Sequence, residues 1–303
     1  MTLETLHSLL TLLEDPDEEV HQAAEQELLR FAKTNHDEFK QIQERLTNHT
    51  FLDNLKTIEK KIVISQIKQG LRSWRLAGGK DLFEAWAMLS LLDPPSENDQ
   101  KVKNQLNRLI NLIWLELHPS MGNEARAKKV SHILFQVEQF KVSKDEYNPE
   151  LYFLQSILAA KLGSPFSTSL LYFLVCCKLD IPSQLIKLEH QNKTFYFTRL
   201  IENNSQSTFY VDSNYVSTLV DGSKFSNEKT NIGKVYEENV FFNVLKHYLS
   251  IENPTSNFQI MSNIYIILDV CKRLRSGYKR LGQTMESEMI EDLLQFIDIH
   301  FDD

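Results

Sequence analysis

The chain has 303 residues, of which 42% are hydrophobic and 24% charged, with a formal net charge of −8. That charge disfavours general binding to nucleic acid or to an anionic membrane surface, and the length allows one large domain or two to three small ones. Three cysteines, none in a CxxC pair, argue against a disulfide framework or a zinc knuckle and fit a reducing compartment.

The first residues, MTLETLHSLLTLLEDP, carry no basic segment and do not read as a signal peptide. No apolar run approaches the length of a membrane span, so a cytoplasmic location is expected. Leu3, Leu6, Leu9, Leu10 and Leu13 mark a first amphipathic helix, broken at Asp15-Pro16-Asp17. Asp17 can cap a second helix with Val20, Ala23, Ala24, Leu28 and Phe31 inward. Helix, Asp-Pro turn and helix together resemble one HEAT-type repeat; no second convincing copy is present. The helical pattern continues over Phe39–Leu46 and Leu55–Trp74, where Ile58, Ile62, Ile64, Ile67, Leu71 and Trp74 form a broad apolar face.

Gly78-Gly79 reads as a boundary. Leu82–Leu92 predicts a helix closed by Pro94-Pro95-Ser96. Val102–Leu117 predicts another, with Leu106, Leu109, Ile110, Ile113, Trp114 and Leu117 as a core stripe. After a loop over Pro119–Gly122, Glu124–Phe135 leads into the central unit.

That unit is Gly163–Pro182, GSPFSTSLLYFLVCCKLDIP. Ser164 suits an N-cap and Pro165 the first helical position, where a missing N–H costs nothing. The residues that follow are apolar around nearly the whole circumference, the mark of a core helix. On this reading Cys176 and Cys177 are packed core thiols. Asp180-Ile181-Pro182 ends the helix. LIKL (Leu185–Leu188), TFYFTRL (Thr194–Leu200) and TFYVD (Thr208–Asp212) are short and rich in β-branched or aromatic residues, and polar turns separate them. A small antiparallel sheet packed on the helix follows.

Residues 213–234 read as a long polar connection with room for one short strand or helical turn. Helices resume at Val235–Leu249, Phe258–Leu274 and Ser287–His300. Arg273, Arg275, Lys279 and Arg280 form a short basic linker, read as solvated surface rather than a binding patch.

Glu146-Tyr147-Asn148-Pro149, Leu158 to Pro165, Leu170-Leu171-Tyr172 and Leu179-Asp180-Ile181-Pro182 resemble the bacterial SirB-type transglutaminase-like family. The clear likeness covers about 124–212. It implies an α+β, predominantly helical fold: a transglutaminase-like (papain-like) core with a small antiparallel sheet, flanked by helical segments. The expected domains are a HEAT-like segment over 1–77, the core over 78–232 and a C-terminal helical segment over 233–303.

Transglutaminase-like enzymes place a cysteine at the start of this helix, a histidine on one strand and an aspartate on the next. A helix N-terminus stabilises thiolate, and a neighbouring imidazole activates it. By this resemblance the cysteine position falls on Pro165, which has no nucleophilic atom. His190 is the only histidine near the second position and sits in a predicted turn. Asp212 fits the third, and reads equally as a strand-end aspartate bound to local backbone. Ser164 and Ser167 read as cap and first-turn residues rather than replacement nucleophiles. The degenerate triad candidates are therefore Pro165, His190 and Asp212.

No phosphate-binding glycine loop, GxSxG elbow, HExxH or HxH spacing occurs, so neither cofactor nor metal is expected. The resulting expectation is a non-catalytic binding or scaffolding protein whose partner is a protein or peptide, with no nucleic acid and no membrane. The alternative is a peptidase or amidase that uses His190 and Asp212 without a thiol.

Overall fold

The computed structural model describes residues 3–35, 38–39, 41–42, 49–92, 99–191, 193–202, 207–213, 232–251 and 254–301. The chain divides into two compact units, Met1–Ser73 and Trp74–Asp303.

The first unit holds α1 (Leu3–Leu12), α2 (Glu18–Thr34) and most of α3 (His49–Leu76). Asp17 caps α2 by accepting a hydrogen bond from the Glu19 amide at 2.9 Å, the role its sequence position predicts. Leu6, Leu10, Leu28, Phe31, Ile58 and Ile62 pack into one core. Val20 is only half-buried and Ala23 is exposed, so the inward face of α2 is narrower than its apolar residues suggest. The helix expected over 39–46 falls largely outside the described residues.

The second unit begins with the end of α3, which Gly78 and Gly79 stop with φ angles of 96° and 63°, a conformation that costs other residues energy. It contains α4 (Leu82–Leu89), α5 (Asp99–Trp114), α6 (Asn123–Ser131), β1 (Lys141–Val142), α7 (Leu154–Ala160) and β2 (Leu162–Gly163). The helix predicted from 124 ends as a wider π turn over His132–Val137. Then follow α8 (Pro165–Lys178), β3 (Ser183–His190), β4 (Lys193–Ile201), β5 (Thr208–Asp212), β6 (Lys234–Glu237), α9 (Glu238–Leu249), β7 (Phe258–Ile260), α10 (Asn263–Arg280) and α11 (Thr284–Phe301). Among the described residues no helix is long and apolar enough to cross a membrane.

The sheet order is β6-β5-β4-β3-β7, antiparallel throughout. The three expected strands are its centre. Two departures enlarge it. Lys234–Glu237 pairs with β5 where a helix start is predicted, and Phe258–Ile260 pairs with β3 where a helix is predicted. The fold is α+β and predominantly helical with a small antiparallel sheet, as expected.

Every residue of α8 from Phe166 to Cys176 is buried, which is what an all-round apolar helix requires. Cys177 departs from the expectation: it is exposed, because it lies in the last turn where the helix emerges from the core. Trp114 also departs, at 65% exposed. Val102, Leu106, Leu109 and Ile113 supply the buried stripe of α5. Trp114 sits one residue, about 100° of rotation, beyond Ile113 and faces outward. The basic residues Arg273–Arg280 are not a linker but the C-terminal half of α10.

Candidate functional site around the start of α8

Local chemistry builds the start of α8. Ser164 Oγ accepts from the Ser167 amide at 3.1 Å, and Ser167 Oγ accepts from the Ser164 amide at 2.8 Å. This reciprocal capping box satisfies two amides that a helix start otherwise leaves open. Both serines are buried, and their oxygens already hold one another. Pro165 occupies the first helical position, half-buried. A Cβ on Gly163 would meet Thr168 Oγ1 at 2.7 Å and Ser167 Oγ at 2.8 Å, so the approach to the cap is closed on that side.

The sheet decides what α8 faces. Ser169 Oγ donates to the Tyr196 carbonyl at 3.2 Å, and the Phe166 and Tyr196 rings lie 4.5 Å apart. Tyr196 pairs with Lys187 across β3 and β4, so both side chains share the face toward α8. Residues one step away point to the other face. There Leu188, Phe197 and Tyr210 pack against Phe241 and Leu245 of α9. His190 lies two residues beyond Leu188 on β3, and Asp212 two beyond Tyr210 on β5. The strand period therefore places His190 and Asp212 on the α9 face, opposite Pro165. His190 ends β3, paired with Lys193 across the turn, and its Nε2 is buried without a hydrogen-bond partner among the described residues. Asp212 is 1% exposed, pairs with Lys234, and accepts a hydrogen bond from the Gly233 amide at 2.8 Å through its main-chain carbonyl.

The start of α8 is met instead by charged and phenolic groups. Arg273 of α10 carries its guanidinium carbon 5.0 Å from the Phe166 ring centroid and 5.2 Å from that of Tyr196. Its Nη2 donates to Tyr196 Oη at 2.9 Å, and Tyr196 Oη donates to Asp269 Oδ2 at 2.9 Å. Lys187 Nζ lies 3.6 Å from the same carboxylate oxygen and 2.8 Å from Glu189. Arg273 Nη1 stands 3.9 Å from Glu146 Oε2, and Tyr152 Oη donates to the Glu146 carbonyl at 2.6 Å. Burial holds the hydroxyls of Tyr152 and Tyr196 above the usual tyrosine pKa, against the lowering field of Arg273. Both stay protonated donors at neutral pH. Burial likewise raises the thiol of Cys176, and that of Cys271 to about 12, so neither is a ready thiolate.

Arg273, Tyr196, Asp269, Lys187, Tyr152 and Glu146 are the polar groups that sequence reasoning missed as a cluster. Two fragments of it were visible. Glu146 belongs to a stretch that carries the family resemblance, and Arg273 belongs to the basic run. Nothing local joins residues so far apart in the chain. The arrangement can hold an anion or a hydrogen-bonding group beside the helix start. Ser164 and Ser167 are engaged in capping, and Pro165 has no nucleophilic side chain. Among the described residues no group of three or more His, Cys, Asp and Glu side chains is placed to hold a metal ion.

Residues 100–216 match a family model described as the transglutaminase-like superfamily. The match runs from α5 to just past β5 and includes Pro165, His190 and Asp212. No curated protein and no solved structure matches the chain.

Proposed function

With residues 100–216 a transglutaminase-like superfamily domain, we propose that the protein is a non-catalytic binding module whose partner is a protein or peptide. The observation that carries this reading is the start of α8. By the resemblance the nucleophile's place falls on Pro165, and Ser164 and Ser167 beside it are buried and hydrogen-bonded to one another. A triad needs an imidazole within hydrogen-bond reach of its nucleophile. The strand period favours this reading further, because it directs His190 and Asp212 away from that place. Within this reading the affiliation is SirB-type, and the helices before residue 77 act as a HEAT-like companion surface.

The test is an assay of the wild type and of Pro165→Cys with peptide–amine crosslinking and peptide hydrolysis substrates. Both proteins are expected to be silent, since the groups gathered on the neighbouring Phe166 are Tyr196 and Arg273 rather than an imidazole. Removing the catalytic nucleophile of a serine protease costs about 10⁶-fold in kcat, so the contrast is easy to read. Wild-type turnover that disappears in His190→Ala or Asp212→Ala overturns the proposal and establishes the peptidase or amidase alternative.

A further inference from the structure

The two edges of the five-stranded sheet differ. At one, β6 carries a charge at each end, Lys234 and Glu237, and Gly233 before it is pressed against Phe135, whose ring a Cβ there would meet at 2.2 Å. At the other, β7 is Phe258-Gln259-Ile260, and no strand lies beyond it among the described residues. Ile260 is 52% exposed, and Tyr265 in the first turn of α10 is 55% exposed. Edge strands are commonly blunted by a lysine, a proline or a bulge. β7 has none of these, and its pairing with β3 is unbroken.

The ladder to β3 fixes where each main-chain group of β7 points. The Met261 amide donates to the Leu185 carbonyl at 2.9 Å, so these two residues form a hydrogen-bonded pair. In an antiparallel ladder such pairs alternate with pairs that are not bonded. Gln259 therefore bonds to Lys187, while the N–H and C=O groups of Phe258 and Ile260 point away from β3. Side chains alternate as well. Phe258 turns to the α9 cluster, its ring 5.8 Å from that of Tyr210. Ile260 follows on the same face, and Gln259 stands exposed on the other.

We propose that β7 pairs antiparallel with β7 of a second copy of this chain, Phe258 of each opposite Ile260 of the other, joining two five-stranded sheets into one. The outward groups are self-complementary. Phe258 and Ile260 of each chain offer two donors and two acceptors, and the antiparallel arrangement matches them all. Charge selects the occupant. A two-fold axis brings each residue near its own copy, so a charge close to the axis repels itself. Residues 254–268 hold no charged side chain, in a chain that is 24% charged. Gln259 lies on the axis, and its amide both donates and accepts, so it suits its own copy. An acidic or basic peptide finds no counter-charge on this strand. The exposed Ile260 gains Phe258 of the other chain as an apolar neighbour. The contact holds whether or not the start of α8 is catalytic.

Sedimentation equilibrium of the full chain over a wide concentration range tests this, with amide hydrogen exchange followed at the same concentrations. A monomer–dimer equilibrium is expected, and the Phe258 and Ile260 amides should exchange more slowly as the dimer forms. Ile260→Pro removes an outward N–H but no bond to β3, a place where an edge strand tolerates proline. It should weaken the dimer about thirtyfold, the scale of the two main-chain hydrogen bonds lost across the axis, with the fold kept, which circular dichroism verifies. Gln259→Glu and Gln259→Lys should each weaken it about threefold by placing like charges opposite one another, and an equimolar mixture of the two should associate more tightly than either alone. A chain that stays monomeric overturns the proposal, and protected β7 amides in that monomer would assign the edge to another segment of the same chain. A dimer indifferent to Ile260→Pro, or a mixture no tighter than either variant, also overturns it, because the copies then meet elsewhere.

Discussion

Arg273 of α10 lies over Phe166, the second residue of α8, with its guanidinium carbon 5.0 Å from the ring centroid. A residue more than a hundred positions downstream thereby shapes the ground beside the helix start. Pro165, the first residue of α8, thus stands next to an arginine-backed aromatic ring. The consequences can be measured.

Ser164→Ala should lower stability by about 1 kcal/mol, the usual cost of losing an N-cap, and raise the loss toward about 2 kcal/mol because the cap is buried. Ser167→Ala should have a similar effect, and the double variant should cost less than the sum, since the two hydroxyls serve one capping box. Urea titration of all three proteins is the measurement. Strict additivity would show that the box is not one unit.

Leu174→Ala should cost about 2–5 kcal/mol, because the side chain is 1% exposed in the middle of the core helix. Leu76→Ala, at a position 83% exposed, should change stability by less than about 0.5 kcal/mol. Paired denaturation curves would show whether α8 is the core element its pattern implies.

The cysteines should label unequally. Cys177 is exposed and should react with iodoacetamide in the native protein, though slowly, because partial burial of the thiol raises its pKa. Cys176 and Cys271 are buried and should label only on unfolding. Peptide mapping after timed native alkylation distinguishes them. Early modification of Cys176 would contradict the packing of α8.

Alkaline pH should destabilise the protein in a defined window. Burial pushes the Tyr210 hydroxyl up to about 12, against about 10 in an unfolded chain. Tyrosine is neutral when protonated, so between these values the folded state binds more protons than the unfolded state. The stabilisation is fully present below about pH 10 and is lost as pH rises through about 12. Denaturant midpoints followed from pH 9 to 12 should fall, and Tyr210→Phe should make the decline shallower. A flat profile for the wild type would mean that its buried tyrosines ionise as freely as exposed ones.

Signals that act within one or two turns of the chain were legible in the sequence. Ser164 and Pro165 start α8 because the cap and the fixed proline φ operate over three residues. The unbroken apolar run up to Cys176 marked that helix as core, and the β-rich segments at Leu185–Leu188, Thr194–Leu200 and Thr208–Asp212 marked the centre of the sheet. Tertiary structure alone decided the rest. Lys234–Glu237 and Phe258–Ile260 are too short to show a period of two, and they became strands because β5 and β3 offered open edges. Strand register, set by pairing across the sheet, put Tyr196 and Lys187 beside α8 and turned His190 and Asp212 to the other face. Arg273 reached Phe166 because Ile267, Cys271, Leu274 and Tyr278 bury an adjoining side of α10 in the core, and burial against distant residues is a property of the packed chain.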